Sequence, residues 1–296
     1  MARKAGQRVS VVLPALNEAA TVGAIVSAVR RHYVERVPLV DEIVVIDPGS
    51  TDATARVAEA AGAVVVPGRY VLPGYGSSRG KGEALWKSLY ITDGDLLAFL
   101  DADLREFDPS YVPRLLAPLL TDPSVALVKG FYDRPLHAQG SPARTGGGGR
   151  VTELVARPLI ALHWPALSGV VQPLAGEYAA RRDLLEQLPF VTGYGVELAL
   201  LIDTLRTAGL EAVAQVDLGR RVHRNQDDAA LGRMAAALQL TALSRLGRPA
   251  PANLALTQYV RTSKGVVEPA TSTVDVAERP PMVTVPEYAT RQAAAS

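Results

Sequence analysis

Asp101 and Asp103 stand one residue apart at the end of the apolar run Leu96-Leu97-Ala98-Phe99-Leu100. A run of that length and composition reads as a fully buried strand. The end of such a strand is where open α/β sheets place their ligands. Residues i and i+2 of an extended segment face the same side, so both carboxylates could meet one ligand. Two carboxylates that close repel, and a hard divalent cation such as Mg²⁺ or Mn²⁺ relieves the repulsion while gripping a diphosphate. A bare D-x-D is short and common, and on its own a solvated turn is the simpler explanation.

Other polar groups fall where they could join this pair. Pro14-Ala15-Leu16-Asn17-Glu18 follows one apolar run, and Asp47-Pro48-Gly49-Ser50-Thr51-Asp52 follows another. In a parallel sheet these ends lie along one edge with Asp101 and Asp103 and could line one crevice. Taken singly, Ser50 and Asp52 read as helix-capping residues, with Ser50 or Thr51 accepting from the N–H groups that open the next helix, and Asn17 and Glu18 read as a surface turn. Lys81 lies between two glycines at a helix start, where it could neutralise a phosphate or be a solvated loop lysine. The run Gly146 to Gly149 leads into Arg150, Val151 and Thr152 at another helix start. Glycines let backbone N–H groups approach an anion, the helix N-terminus favours it, and arginine offers a fork of donors. No Lys-Ser/Thr pair follows, so the run is not the phosphate loop of an NTPase. His223 sits among Arg220, Arg221 and Arg224, with Asn225 beyond. Arginines beside it disfavour its protonation, which suits a metal ligand or a neutral hydrogen-bonding role; a basic surface turn is the plain alternative.

The elements that must carry these groups alternate. Strands are predicted at Val9 to Pro14, Asp41 to Asp47, Ala63 to Val66 and Leu96 to Leu100, with helices at about Thr21 to His32, Asp52 to Ala61 and Glu83 to Ser88. That order means a parallel sheet with right-handed crossovers, the doubly wound α/β architecture. Further on, strands are expected at Val125 to Tyr132 and Ala212 to Leu218. Helices are expected at Val151 to Leu162, Leu198 to Thr207 and, amphipathically, Leu231 to Leu246. The chain is expected to divide into a nucleotide-binding half (1–120), a second half of the same domain (121–247), to which the family resemblance given below assigns the acceptor, and a C-terminal helix or extended tail (248–296). Its last stretch, from about residue 265, is expected to be an extended arm or disordered tail.

With 296 residues, 48% of them hydrophobic, the chain can bury a substantial core. A net charge of +1 gives no electrostatic case for nucleic acid or an anionic membrane. Cysteine is absent, which rules out disulfides and thiolate metal sites and suits a cytoplasmic protein. The N-terminus does not read as a signal peptide, and no run of about 20 apolar residues predicts a membrane span.

Jointly, P-A-L-N-E, D-P-G-S-T-D, G-K-G, D-A-D, T-G-G-G-G-R-V-T-E-L, G-Y-G-V-E and H-R-N resemble the glucosyl-3-phosphoglycerate synthases, retaining glycosyltransferases of the GT-A fold whose near relatives are mannosyl-3-phosphoglycerate synthases. The resemblance covers about residues 9 to 247, and the last three motifs are the specific ones. It implies a GT-A sheet, a UDP-glucose donor, 3-phospho-D-glycerate as acceptor and a homodimer. The donor would meet Pro14, Ala15, Leu16, Asn17, Glu18, Ser50, Lys81, Asp101, Ala102, Tyr194, Gly195, Val196, Glu197 and Arg221. Asp103 and His223 would bind Mg²⁺ or Mn²⁺, and Gly149, Arg150, Val151, Thr152 and Asn225 would hold the acceptor. Glu197, Asp103, Lys81 and Arg221 would carry catalysis, with Glu197 read as a ligand of the sugar hydroxyls rather than a nucleophile. Two positions depart from the pattern. Ala102 stands where the subgroup often has serine, and Pro48 stands where wider GT-A enzymes often have the acid that reads uracil. Alternatives from the residues are a GDP-mannose-dependent mannosyl transfer, a GT-A transferase acting on a lipid phosphate, and a nucleotide-sugar binder without catalysis.

Overall fold

The computed structural model describes residues 4, 6–78, 80–133, 149–220, 227–263 and 265–295. Its centre is a seven-stranded sheet of order β3-β2-β1-β4-β6-β5-β8. These strands are β1 (Val9–Pro14), β2 (Glu42–Asp47), β3 (Val64–Pro67), β4 (Leu96–Phe99), β5 (Leu127–Asp133), β6 (Tyr178–Arg181) and β8 (Val213–Arg220). Every neighbouring pair is parallel except the two that involve β6, which runs antiparallel to both β4 and β5. The expected strand ends, after Pro14, Asp47 and Phe99, therefore do share one edge, and the C-terminal end of β8 lies on it too.

The central strands β1, β2 and β4 are predominantly apolar because both their faces are covered. Successive residues of β1 divide between two cores. Val12 joins Val44, Phe99 and Leu85 on one face, while Val11 and Leu13 join Val45, Ala98 and Ile25 on the other. Helices α1 (Val22–Val29), α2 (Thr54–Ala61) and α4 (Tyr111–Thr121) cover the second face. Helices α3 (Lys81–Ile91) and α7 (Val196–Ala208) cover the first. In the central sheet and the helices that cover it, α4 and β6 were not foreseen in the sequence. Helix α4 carries an internal Pro118, and β6 is only four residues long, with a charged residue at one end.

The C-terminal part corrects the expected extended tail. Strands β9 (Asn253–Arg261) and β10 (Val267–Asp275) form an antiparallel hairpin that packs Leu254 and Val274 on Ala236, Ala237 and Leu240 of α8 (Asp228–Arg245). Next, β11 (Glu278–Arg279) pairs with β7 (Phe190–Val191), and α9 (Pro286–Ala295) follows. Met282, Val285 and Tyr288 are buried in the main core, so this segment has an apolar anchor at i, i+3 and i+6 that its proline-rich composition conceals. No described helix is long and apolar enough to cross a membrane.

Candidate active site at the C-terminal edge of the sheet

Two turns on the sheet edge are braced against each other. After β1, Asn17 takes a left-handed conformation (φ 59°), one that asparagine tolerates better than most residues. Its backbone N–H donates to Ser50 Oγ at 2.9 Å, and its side-chain Oδ1 accepts the Thr51 N–H at 2.8 Å. The Glu18 N–H donates to Thr54 Oγ1 at 2.8 Å. After β2, the buried Asp47 carboxylate accepts the Gly49 and Ser50 N–H groups at 2.8 and 2.7 Å. Ser50 is thus not the cap of α2. That helix starts at Thr54, whose N–H is taken by Asp52 at 2.9 Å. Pro14, Ala15, Leu16, Glu18 and Ser50 line this braced pair of turns, with Leu16 exposed and Ala15 buried. A third brace reaches the D-x-D: Thr21 Oγ1 donates to the Ala102 carbonyl at 2.6 Å.

The two aspartates have different surroundings. Asp101 accepts from Lys81 Nζ at 2.5 Å, whereas Asp103 is exposed. Lys81 is the first residue of α3 and also lies 3.1 Å from Glu197 Oε1, in the first turn of α7. Burial works against the Lys81 charge, but Asp101 and Glu197 outweigh it and hold the ammonium well above its usual range. Glycines make this convergence possible. Gly176 faces the pair so closely that an added Cβ would lie 2.4 Å from both Asp101 carboxylate oxygens and 2.5 Å from Lys81 Nζ. Gly80 and Gly82, on either side of Lys81, meet the backbone of Val191 to Gly193, and Glu83 N–H donates to the Thr192 carbonyl at 3.2 Å. The G-K-G motif is therefore the contact that sets the N-terminus of α3 beside that of α7. In the intervening turn Tyr194 is exposed, and Gly195 is needed because a Cβ there would strike Thr241 of α8. Val196 is buried.

A layer that sequence reasoning missed lies beneath. Lys129 of β5 is buried, donates to the Ala175 carbonyl at 2.6 Å and stands 4.8 Å over the Tyr178 ring. Burial lowers its pKa to about 8, opposed by Glu197. Burial likewise raises the Tyr178 phenol, with Glu197 adding to the effect. The signal in the sequence was a single lysine inside the apolar strand Leu127-Val128-Lys129.

On the other side of the edge, the helical stretch from Arg150 is π-wound over Thr152–Ala156 before it becomes α5 (Arg157–His163). Val151 and Thr152 are buried, and exposed Arg150 pairs with Asp228 at the start of α8 at 2.5 Å. Gly149 accepts the Glu153 N–H at 3.0 Å and is half-buried. Arg221, His223 and Asn225, and glycines 146–148, lie outside the described residues.

A divalent cation fits this donor set. Asp101 is paired with Lys81, and Asp103 is the exposed carboxylate of the D-x-D, a hard oxygen ligand at the strand end of the kind Mg²⁺ and Mn²⁺ prefer. Among the described residues no three His, Cys, Asp or Glu side chains gather as a closed metal cage. That suits an ion that takes part of its coordination from a bound diphosphate.

Comparison with known proteins follows the same lines. Residues 10–186 match the family model of glycosyl transferase family 2. A glucosyl-3-phosphoglycerate synthase of Mycolicibacterium smegmatis is 50% identical over 96% of this chain and 92% of its own. One from Petrotoga mobilis is 45% identical over 95% and 88%. A crystal structure of the Mycobacterium tuberculosis glucosyl-3-phosphoglycerate synthase with Mn²⁺, UDP-glucose and phosphoglyceric acid superposes with a TM-score of 0.83, at 47% identity over 95% of this chain and 92% of that one.

Proposed function

The chain belongs to glycosyl transferase family 2, and from that membership we propose that it moves glucose from UDP-glucose to the 2-hydroxyl of 3-phospho-D-glycerate, giving glucosyl-3-phosphoglycerate and UDP. The observation that carries this reading is the near-complete, roughly half-identical match to synthases of that name, one of them solved with this donor, this acceptor and Mn²⁺. It favours glucose over mannose and UDP over GDP, the choices the motifs alone left open.

The residues divide by task. Pro14, Ala15, Leu16, Asn17, Glu18 and Ser50 hold the uridine on the braced turns. Asp103 and His223 hold the divalent ion, which when bound offsets the diphosphate charge that grows as the sugar leaves. Lys81 and Arg221 add fixed positive charge at the same place. Asp101, Ala102, Tyr194, Gly195, Val196 and Glu197 surround the sugar, and Gly149, Arg150, Val151, Thr152 and Asn225 hold the acceptor's phosphate and carboxylate. Arg150 must exchange Asp228 for the acceptor, an easy exchange because the existing pair is exposed and so contributes little.

We infer transfer with retention by front-face attack. The bond between the sugar C1 and the β-phosphate oxygen breaks with its electron pair going to UDP. The acceptor 2-hydroxyl oxygen bonds to C1 from the same face, and its proton passes to the departing phosphate oxygen. The ion pair of Glu197 with Lys81 supports a ligand's role for that carboxylate, since an ammonium at 3.1 Å dampens a nucleophile. The homodimer and the cytoplasmic location belong to the same reading. The β9–β10 hairpin, with Tyr259, Val266 and Val267 exposed, is the surface we assign to the second copy.

The test is UDP or GDP release with UDP-glucose, GDP-glucose and GDP-mannose, each with and without 3-phosphoglycerate, plus the anomeric configuration of the product by NMR. Turnover that needs UDP-glucose and 3-phosphoglycerate and yields the α-anomer supports the reading; donor hydrolysis alone, or a β-anomer, defeats it.

A further inference from the structure

Behind the Lys81–Glu197 contact lies a segment bonded to the elements that present these residues. The strap Ala277–Pro280 crosses the backs of both elements that present them. Its Ala277 carbonyl accepts the Thr192 N–H at 2.9 Å, and β11 pairs with β7 immediately before the turn that leads to Glu197. The Pro280 carbonyl accepts the Trp86 indole N–H of α3 at 2.8 Å. Glu278 is held from α8 by Arg245, which also grips Asp203 of α7 at 2.8 Å.

Arg279 is the strap's inward anchor. Its guanidinium closes a two-pronged grip on Glu83, Nε to Oε2 at 2.6 Å and Nη2 to Oε1 at 2.9 Å. It also donates to the Tyr75 carbonyl at 2.6 Å and lies 5.5 Å from the centre of the Trp86 ring. Glu83 is buried two residues from Lys81, and its own N–H carries the bond to Thr192. Lys87, one turn on, completes the cluster at 3.0 Å from Glu83 and donates to the Gly68 carbonyl at 2.9 Å. One carboxylate thus ties the first turn of α3, the loop of residues 68–78 and the strap into one unit. A guanidinium fork fixes that geometry in a way a point charge does not.

We propose that Arg279 is a positioning residue for glucosyl transfer: by clamping Glu83 it fixes the first turn of α3, and so Lys81, against the turn that presents Glu197. The proposal rests on the roles given above to Lys81 and Glu197. Misplacing a charge by about 1 Å at such a site costs about a hundredfold in rate.

The full-length variants Arg279→Met, Arg279→Lys, Lys81→Met and Arg279→Met/Lys81→Met decide it. The readouts are kcat, both KM values, and UDP affinity with Mn²⁺ by calorimetry. Arg279→Met is expected to lower kcat about tenfold or more, and any loss of UDP affinity is expected to be no larger than that of Lys81→Met. Arg279→Lys recovers only part of the loss. The double variant is no slower than Lys81→Met, because the two residues act through one contact. Multiplying losses in the double variant, a loss of UDP affinity in the double variant beyond that of Lys81→Met, or an unchanged kcat in folded Arg279→Met would each overturn the proposal. An unchanged kcat in Lys81→Met instead refutes the role given to Lys81, whatever Arg279 does. If Arg279→Met melts below the assay temperature, Arg279→Lys combined with Lys81→Met replaces it.

Discussion

Gly82 and Val191 are in backbone contact: a Cβ built on Gly82 would lie 1.8 Å from the Val191 carbonyl oxygen. Backbone cannot swing aside as a side-chain tip can. Gly82→Ala must therefore push α3 away from β7 and widen the Lys81–Glu197 distance. We expect a loss of about 2 kcal/mol in stability together with a large drop in kcat, read by chemical denaturation and UDP release on the same sample.

Gly176→Ala is expected to act differently. The groups its methyl meets are the ends of Asp101 and Lys81, which can rotate. The fold should keep nearly all of its stability while the ion pair opens and kcat falls about tenfold or more. Equal melting temperatures with unequal rates check this.

The two aspartates of the D-x-D should separate by metal response. Asp103→Ala is expected to lower turnover about a hundredfold or more and to abolish the Mn²⁺ enhancement of UDP binding. Asp101→Asn, which weakens the pair with Lys81, should lower kcat yet keep that enhancement. Titrating UDP calorimetrically with and without Mn²⁺ tells the two apart.

Lys129 should leave a mark on stability against pH. Its folded pKa is about 8, below the usual lysine value of about 10.4. Between those values the unfolded chain binds the proton and the folded chain does not, so stability rises with pH across that window. Below pH 8 both states are protonated and the slope vanishes. The unfolding free energy of the native protein relative to Lys129→Met is expected to grow from pH 8 to 10.5 and to stay flat from pH 6 to 7.5.

Much of this architecture is legible in the residues. Apolar runs that end in Pro14, Asp47 and Asp101 announce parallel strands and the edge where their ends meet, because buried parallel strands have no polar face to confuse their period. The Lys81 site is half legible. The glycines beside it are visible, but their reason, contact with Val191 to Gly193, spans more than 100 positions and leaves no local pattern. Strand β6 escapes notice because Tyr178-Ala179-Ala180-Arg181 is short and ends in an arginine, which is satisfied by the Val125 and Leu119 carbonyls at 2.8 and 2.7 Å. The strap escapes for a similar reason. Glu278 and Arg279 look like surface charges until their partners Arg245 and Glu83, far off in the chain, are known.

The antiparallel strand at the middle of the sheet sets the order in which the molecule can assemble. Strands β3, β2, β1 and β4 all lie within residues 9–99 and can pair as they emerge, leaving β4 with one open apolar edge. Strand β5 is made next but cannot close that edge, since β6 must enter between them. Until residues 178–181 arrive, a growing or refolding chain carries an unsatisfied template for intermolecular pairing. Refolding yield should therefore fall steeply with concentration, and a peptide copy of β6 should slow refolding while leaving the folded enzyme untouched.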